Sequence, residues 1–375
     1  MNFLFACGGT GGHINPALAA AQRIRALMPD SRFLFVGASD NMEMELVPRE
    51  GFEIRGITVG NLHRSLRPDE MLHNLRSGAI LLHAVREAGK IVREFQPAVV
   101  LGTGGYVCYP VLRAASKQGI PTLLHEANAF PGLTTRMLEK TVDCMMVAFE
   151  ESRAGYRHPE KVRTVGMPVR SAFREIRRAE ARARMGLDDR PLLLSFGGSL
   201  GAKRLNAAVA ALAAGNEKTG ALRILHATGG GEAEVQAMAE AIGAGEPGNL
   251  RFTELRPYIY DMPTAMAAAD ILVCRAGAST LGEVCAVGRA ALLVPYPYAT
   301  GNHQEKNARV LESTGGARVI PDAELTPEAL SEAVSELAAD REKLREMGER
   351  LRALDRPEAL DAIVEETLKL SERQP

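Results

Sequence analysis

The chain has almost no net charge, no ordered cysteine spacing and no long apolar run. Its 45 Lys and Arg nearly balance 46 Asp and Glu, for a formal charge of -1. That leaves no large basic excess of the kind a dedicated nucleic-acid binder carries, so no nucleic-acid partner is expected. The five cysteines, Cys7, Cys108, Cys144, Cys274 and Cys285, are odd in number and scattered. They suit reduced thiols and exclude both a disulfide frame and a CxxC zinc site. The longest apolar runs, such as Ala290–Pro295, are too short to span a bilayer. The first strand starts at once, so no leading signal segment is expected.

What is present is ordinary globular material with unusual glycine clusters. At 375 residues, 46% hydrophobic and 24% charged, the chain is long enough for about two domains with full cores. The apolar run Phe3–Ala6 breaks into Cys7-Gly8-Gly9-Thr10-Gly11-Gly12-His13, then resumes at helical spacing through Leu18, Ala21, Ile24 and Leu27. This predicts a strand, a tight loop and a helix. Such a loop lets main-chain N–H groups approach an anion, with the helix N-terminus adding favourable electrostatics. Thr10 supplies a hydroxyl and His13 a group that takes a proton near neutral pH.

Further strands are expected at Arg32–Gly37, Phe52–Val59, Ala98–Leu101, Pro121–His125 and Val142–Val147. Between Asn61 and Phe95 the pattern turns helical, with Met71, Leu75, Leu82, Val85, Val92 and Phe95 on one stripe. Ile80 and Leu81 lie off it, among His63, Arg64, Arg67, Arg76, Arg86, Lys90 and Arg93. An apolar patch framed by cations suits anionic lipid headgroups; a solvated charged face is the plainer alternative. Gly102-Thr103-Gly104-Gly105-Tyr106 is a second glycine loop, and His125–Gly132 sets several polar side chains after a strand.

The opening then repeats. Pro191–Phe196 leads into Gly197-Gly198-Ser199-Leu200-Gly201-Ala202 and an Ala-rich helix, and Ile271–Gly277 with its helix echoes the unit at Val99–Gly104. Strands are also expected at Arg223–Thr228, Leu250–Thr253 and Ala290–Pro295. Two tandem halves of one design predict two similar doubly wound α/β domains facing one another. Ligands bind such folds at the carboxyl ends of the strands. There Glu283, about a turn inside its helix, is placed either to accept both hydroxyls of a ribose or simply to favour the helix N-terminal dipole. In the loop Pro295–Glu305, with His303, the amides of Asn302 and Gln304 either meet sugar hydroxyls or are ordinary solvated loop residues.

Five motifs now stand in order: Gly8–His13, His125-Glu126-x-Asn128-Ala129-x-Pro131-Gly132, Gly197-Gly198-Ser199-x-Gly201-Ala202, Arg275-Ala276-Gly277-Ala278-x-Thr280-x-x-Glu283 and His303-Gln304-x-x-Asn307-Ala308. Together, across nearly the whole chain, they resemble the MurG family of lipid-linked peptidoglycan transferases. Members add N-acetylglucosamine to undecaprenyl-pyrophosphoryl-N-acetylmuramyl-pentapeptide. Ala127, Gly282 and Glu305 depart from the residues usual in that family.

The resemblance implies a GT-B fold, two Rossmann-like doubly wound domains facing across a cleft. The expected division is an acceptor and membrane-facing domain at residues 1–165, a donor domain at 166–345, and a C-terminal helix at 346–375 packing back on the first domain. It implies inverting transfer from UDP-N-acetylglucosamine to the C4 hydroxyl of the lipid-linked acceptor (lipid I), giving lipid II. By the same resemblance Ile259 pairs the uracil through its backbone, Glu283 holds the ribose, Ser199 and its glycines hold the phosphates, and Arg170 lies at the nucleotide. Asn128, Ala278, Ser279, Thr280, Leu281, Gly282 and Gln304 line the sugar and phosphates, with Thr10, Gly11 and Gly12 in the acceptor domain.

His13 is the candidate general base for the acceptor hydroxyl, or else a ligand of the acceptor diphosphate; Glu126 is a rival base that also reads as a loop brace. No Asp-x-Asp pair stands ready for a sugar-nucleotide metal, so no metal or other cofactor is expected. The lipid tail places the enzyme peripherally on the cytoplasmic face of the cell membrane, on an anionic surface and near other cell-wall synthesis proteins. A UDP-N-acetylglucosamine 2-epimerase, a transferase for small aglycones and a non-catalytic nucleotide-sugar-binding protein share the architecture and remain the alternatives.

Overall fold

The computed structural model describes residues 1–59, 68–198 and 201–373, and the chain divides into two units. The first holds Met1–Val169 together with Arg356–Pro375; the second is Arg170–Asp355.

In the first unit seven short strands form one parallel sheet. They are β1 (Asn2–Ala6), β2 (Arg32–Ala38), β3 (Glu53–Ile57), β4 (Val99–Gly102), β5 (Thr122–Glu126), β6 (Cys144–Val147) and β7 (Val162–Thr164). Their spatial order is β3-β2-β1-β4-β5-β6-β7. The strands are nearly continuous apolar runs because helices cover both faces, which is the condition a parallel sheet requires. Phe3, Phe5 and Phe35 are fully buried on one side, with the Phe5 and Phe35 rings 4.9 Å apart. The order reverses between β1 and β4. That switch point is where a doubly wound sheet opens a crevice at its carboxyl edge.

The second unit repeats the plan with six parallel strands. They are β8 (Leu192–Phe196), β9 (Arg223–Ala227), β10 (Thr253–Arg256), β11 (Ile271–Cys274), β12 (Ala290–Leu293) and β13 (Ala317–Val319), in the order β10-β9-β8-β11-β12-β13. Its switch point lies between β8 and β11. The repeat in sequence is therefore a repeat in topology.

Several expectations change in detail. The strand expected at Leu250–Thr253 runs instead over Thr253–Arg256, because Pro247–Asn249 forms a short helical turn and pairing with β9 begins only at Thr253. Gly11, Gly12 and His13 are not loop but the first turn of the helix Gly11–Leu27. Likewise His303, Gln304 and Glu305 open the helix His303–Ser313. The helix Arg341–Arg352 stays with the second unit, where Arg352 donates to the Val287 carbonyl at 2.7 Å. Only Ala359–Ser371 returns to the first unit, packing on the helix Gly11–Leu27 with an Arg23–Asp361 ion pair at 2.9 Å.

The helix Pro68–Phe95 also turns differently from the expected stripe. Ala84, Ala88, Ile91, Val92 and Phe95 are buried, whereas Leu82 is 64% exposed. At roughly 100° per residue Leu82 lies about 140° from Phe95, while Leu81 falls back toward the buried side. His63, Arg64 and Arg67 lie outside the described residues.

Candidate active site

The two glycine loops of the first unit meet at its switch point. Gly105, at φ +88°, lies so close to the Gly8 carbonyl that a side chain there has no room. The Thr103 hydroxyl donates to the His13 carbonyl at 2.6 Å, tying the loop after β4 to the first turn of the helix after β1. Thr10 precedes that helix in extended conformation and its side chain makes no cap bond. Its hydroxyl lies 3.4 Å from His13 Nδ1.

His13 is half-buried, and its ring lies against Gly104, whose φ of +115° only glycine adopts with ease. Nδ1 is 3.0 Å from the Gly8 carbonyl oxygen. A carbonyl only accepts, so Nδ1 carries the proton and, in the neutral ring, Nε2 carries the lone pair. That is the tautomer a base acting through Nε2 needs.

Glu126, at the end of β5, is buried and fully engaged. It accepts from Asn128 N–H and Asn128 Nδ2 at 2.9 Å each, from Gly132 N–H at 3.0 Å and from the Thr135 hydroxyl at 2.5 Å. These bonds shape the loop that carries Asn128. His125 is buried beside it, with Nε2 3.0 Å from the Gly166 carbonyl and its basicity lowered, chiefly by desolvation.

In the second unit the corresponding loops follow β8 and β11. Ser199 lies outside the described residues. Ala278, Ser279 and Thr280 form the first turn of the helix Ala278–Val287, behind Gly277. Leu281 points into the core, and its N–H donates to the Gly277 carbonyl at 3.0 Å. Gly282 and Glu283 follow, both half-buried. Desolvation pushes the Glu283 carboxyl up to about 7, partly offset by the positive charge of exposed Arg170. Ile259 is buried, which leaves its main chain as the part able to meet a base. Gln304 Oε1 accepts from Ala276 N–H at 3.2 Å and Tyr296 N–H at 2.9 Å, so its NH2 end is the one that can meet a sugar.

Two residues stand out beyond the expected site: Arg275, which the sequence marks only as part of a motif, and Glu43, which no motif contains. Arg275 ties the loop after β11 to Asp322 beyond β13. Glu43 is completely buried behind the first glycine loop, accepting from Gly9 N–H at 3.1 Å and Ala38 N–H at 2.9 Å. Its neighbours in sequence, Met42-Glu43-Met44-Glu45, carry no pattern that marks it. Among the described residues, no three His, Cys, Asp or Glu side chains gather as a metal site needs.

Known proteins carry the same frame. The model of the glycosyltransferase family 28 N-terminal domain matches residues 3–147, and that of the glycosyltransferase family 28 C-terminal domain matches residues 192–363. A relative from Acetivibrio thermocellus, named UDP-N-acetylglucosamine–N-acetylmuramyl-(pentapeptide) pyrophosphoryl-undecaprenol N-acetylglucosamine transferase, is 42% identical over 97% of both chains. One of the same name from Desulforudis audaxviator is 42% identical over 99% of both. The crystal structure of Acinetobacter baumannii MurG superposes with a TM-score of 0.77 at 30% identity, covering 98% of this chain and 99% of that one. Two parallel-sheet domains, both family models and these full-length identities lead to one conclusion: the chain belongs to glycosyltransferase family 28, within the MurG family of GT-B N-acetylglucosaminyltransferases.

Proposed function

We propose that the protein transfers N-acetylglucosamine from UDP-N-acetylglucosamine to the C4 hydroxyl of lipid I, with inversion, to give lipid II for peptidoglycan synthesis. The observation that carries this is where the described residues of the motifs fall: at or just past the carboxyl ends of β1, β5, β8, β11 and β12, in two doubly wound sheets. The substrates are those for which the full-length relatives are named.

The second unit takes the donor. Glu283 accepts the ribose hydroxyls, the Ile259 backbone pairs the uracil, and Arg170 lies at the nucleotide. The first turn at Ala278–Thr280 and the glycines around Ser199 face the diphosphate, while the NH2 of Gln304 donates to the sugar. The first unit takes the acceptor through Thr10, Gly11, Gly12 and the Asn128 loop. His13 Nε2 removes the C4 proton as the hydroxyl attacks the anomeric carbon and UDP leaves from the opposite face. Negative charge grows on the leaving diphosphate, and main-chain N–H groups aimed there stabilise it. That supports chemistry without a metal ion.

One assay tests the reading: radiolabelled UDP-N-acetylglucosamine with a short-chain lipid I analogue, with and without chelator. The expected result is a labelled lipid-linked disaccharide, UDP release only with acceptor, and no loss on chelation. UDP release or epimerised sugar without acceptor overturns it. His13→Ala is expected to cost about 10²–10⁴-fold in rate; near-full turnover with unchanged acceptor affinity removes the base role.

The lipid tail calls for a membrane surface, and among the described residues no helix is long and apolar enough to cross a bilayer. Ile80 and Leu82 are exposed on the helix Pro68–Phe95, next to exposed His83, Arg86, Lys90 and Arg93. This face meets anionic lipid. Vesicle sedimentation of an Ile80→Ser, Leu82→Ser double variant is the check. Binding indifferent to those changes, or to phosphatidylglycerol content, counts against the contact.

A further inference from the structure

The Gly8–Gly9 peptide group is held at both ends. Its N–H donates to Glu43 Oε2 at 3.1 Å, and its carbonyl oxygen accepts from His13 Nδ1 at 3.0 Å. The carboxylate, one planar amide and the imidazole thus form an unbroken chain of hydrogen bonds. Glu43 reaches this place because it opens the helix Glu43–Arg49, with its second oxygen anchored on Ala38 N–H at the end of β2. Both glycines that flank its path are required: a side chain on Gly8 or on Gly37 runs into the Glu43 side chain.

We propose that Glu43 is a positioning residue that fixes the tautomer and direction of His13 through the Gly8–Gly9 peptide. A negative charge at the N–H end draws the amide dipole into line and strengthens the carbonyl as an acceptor, since hydrogen bonds in a chain polarise one another. A stronger acceptor at Nδ1–H holds the lone pair at Nε2 and makes it more basic, as carboxylates do when they contact a histidine directly. Here the contact passes through one peptide group. Gly9, at φ +86°, lets the amide face the carboxylate. With its N–H engaged in this way, Gly9 serves the base and not the binding of an anion.

The catalytic consequence rests on the reading of His13 as the base. Other titratable groups face the same region: buried His125 and Glu126 on β5, buried thiols Cys7 and Cys108, and Tyr106 on the loop after β4. They stay unchanged in the variants below.

The test uses the full chain with UDP-N-acetylglucosamine and a short-chain lipid I analogue. Glu43→Gln is expected to lower kcat about tenfold or more. KM for the donor should stay within about twofold, because the donor groups lie in the other unit. With donor saturating, so that Glu283 does not set the limb, the acid limb of kcat/KM for the acceptor is expected to move down by about half a pH unit or more, and Glu43→Asp to restore part of it. Nitrogen-15 NMR of histidine-labelled unmodified enzyme, above the pKa of His13, is expected to show the Nδ1–H tautomer. An Nε2–H tautomer overturns the proposal whether or not any variant folds. So does a folded Glu43→Gln enzyme with an unmoved acid limb, which assigns Glu43 to loop architecture alone. Near-full turnover of His13→Ala overturns the base reading instead, while the tautomer still decides the Glu43 link.

Discussion

Arg275 Nη1 donates to Asp322 Oδ1 at 2.6 Å, with the side chains only 12% and 13% exposed. The same nitrogen reaches the carbonyls of Val294 at 3.1 Å and Pro295 at 3.0 Å. One guanidinium thus ties the end of β11 to the end of β12 and to the turn after β13, which fixes the edge where the donor loops sit. Removing the guanidinium leaves Asp322 with only the more exposed Arg204, whose Nε lies 3.6 Å away, and takes a donor from two carbonyls, at about 1–3 kcal/mol. Arg275→Ala is expected to lower the melting temperature by several degrees and weaken donor binding. Denaturant melts with UDP-N-acetylglucosamine titration check both, and unchanged stability refutes the latch.

Glu126 is expected to behave as a brace. Glu126→Gln turns an NH2 toward groups that are themselves donors, leaving at least one without a partner, at about 1–3 kcal/mol. Stability and acceptor KM should suffer together. A fall of more than about 10²-fold in kcat with unchanged melting temperature and acceptor KM would instead mark a base.

Glu283, proposed as the ribose ligand, is expected to give donor binding a pH dependence. Its carboxyl titrates near 7, raised by desolvation, and two ribose hydroxyls call for the ionised form. Affinity for UDP-N-acetylglucosamine is therefore expected to fall by up to about tenfold between pH 8 and pH 6. Glu283→Gln should bind weakly and flatly across that range, measured by calorimetry. The shift has a cost for folding as well. A raised carboxyl contributes stability below about 4.5, its unfolded value, that is lost as pH rises to about 7. At pH 8 Glu283→Gln should melt higher than the unmodified enzyme.

His226, on β9, is buried with Nε2 3.2 Å from Asn206 Oδ1, and desolvation holds its pKa down near 4. It folds neutral. The unfolded chain takes up a proton near 6.5, so the stability linked to His226 is full above that value. It is lost as pH falls through 6.5 toward 4. His226→Gln is expected to flatten the melting curve over that window relative to the unmodified enzyme, read by thermal melts at half-unit steps. Parallel curves would refute it.

The strands were legible because a parallel strand covered on both faces must be an apolar run, and Phe3–Ala6, Val99–Leu101 and Leu192–Phe196 are such runs. The glycine loops were legible because little else breaks a strand into a helix so abruptly. Boundaries were less so. Leu250 and Phe252 look like strand, yet the ladder with β9 starts at Thr253, since register is set by the partner strand. Leu82 read as core, but the helix phase that buries Phe95 and Val92 turns it outward.

The sequence by itself determined the repeated βα plan, the positions of the five motifs and the family they belong to, because these depend on local periodicity and on residue order. Only the tertiary structure decided that the Glu126 carboxylate is met by donors of the Asn128–Thr135 loop, that Arg275 reaches Asp322, and that Glu43 stands behind the Gly8–Gly9 peptide. The Arg275 and Glu43 contacts rest on hydrogen bonds between residues far apart in the chain, 47 positions for Arg275 and Asp322 and 34 for Gly9 and Glu43, whereas Glu126 closes on residues of its own loop. No local pattern encodes which distant partner a buried polar group will meet.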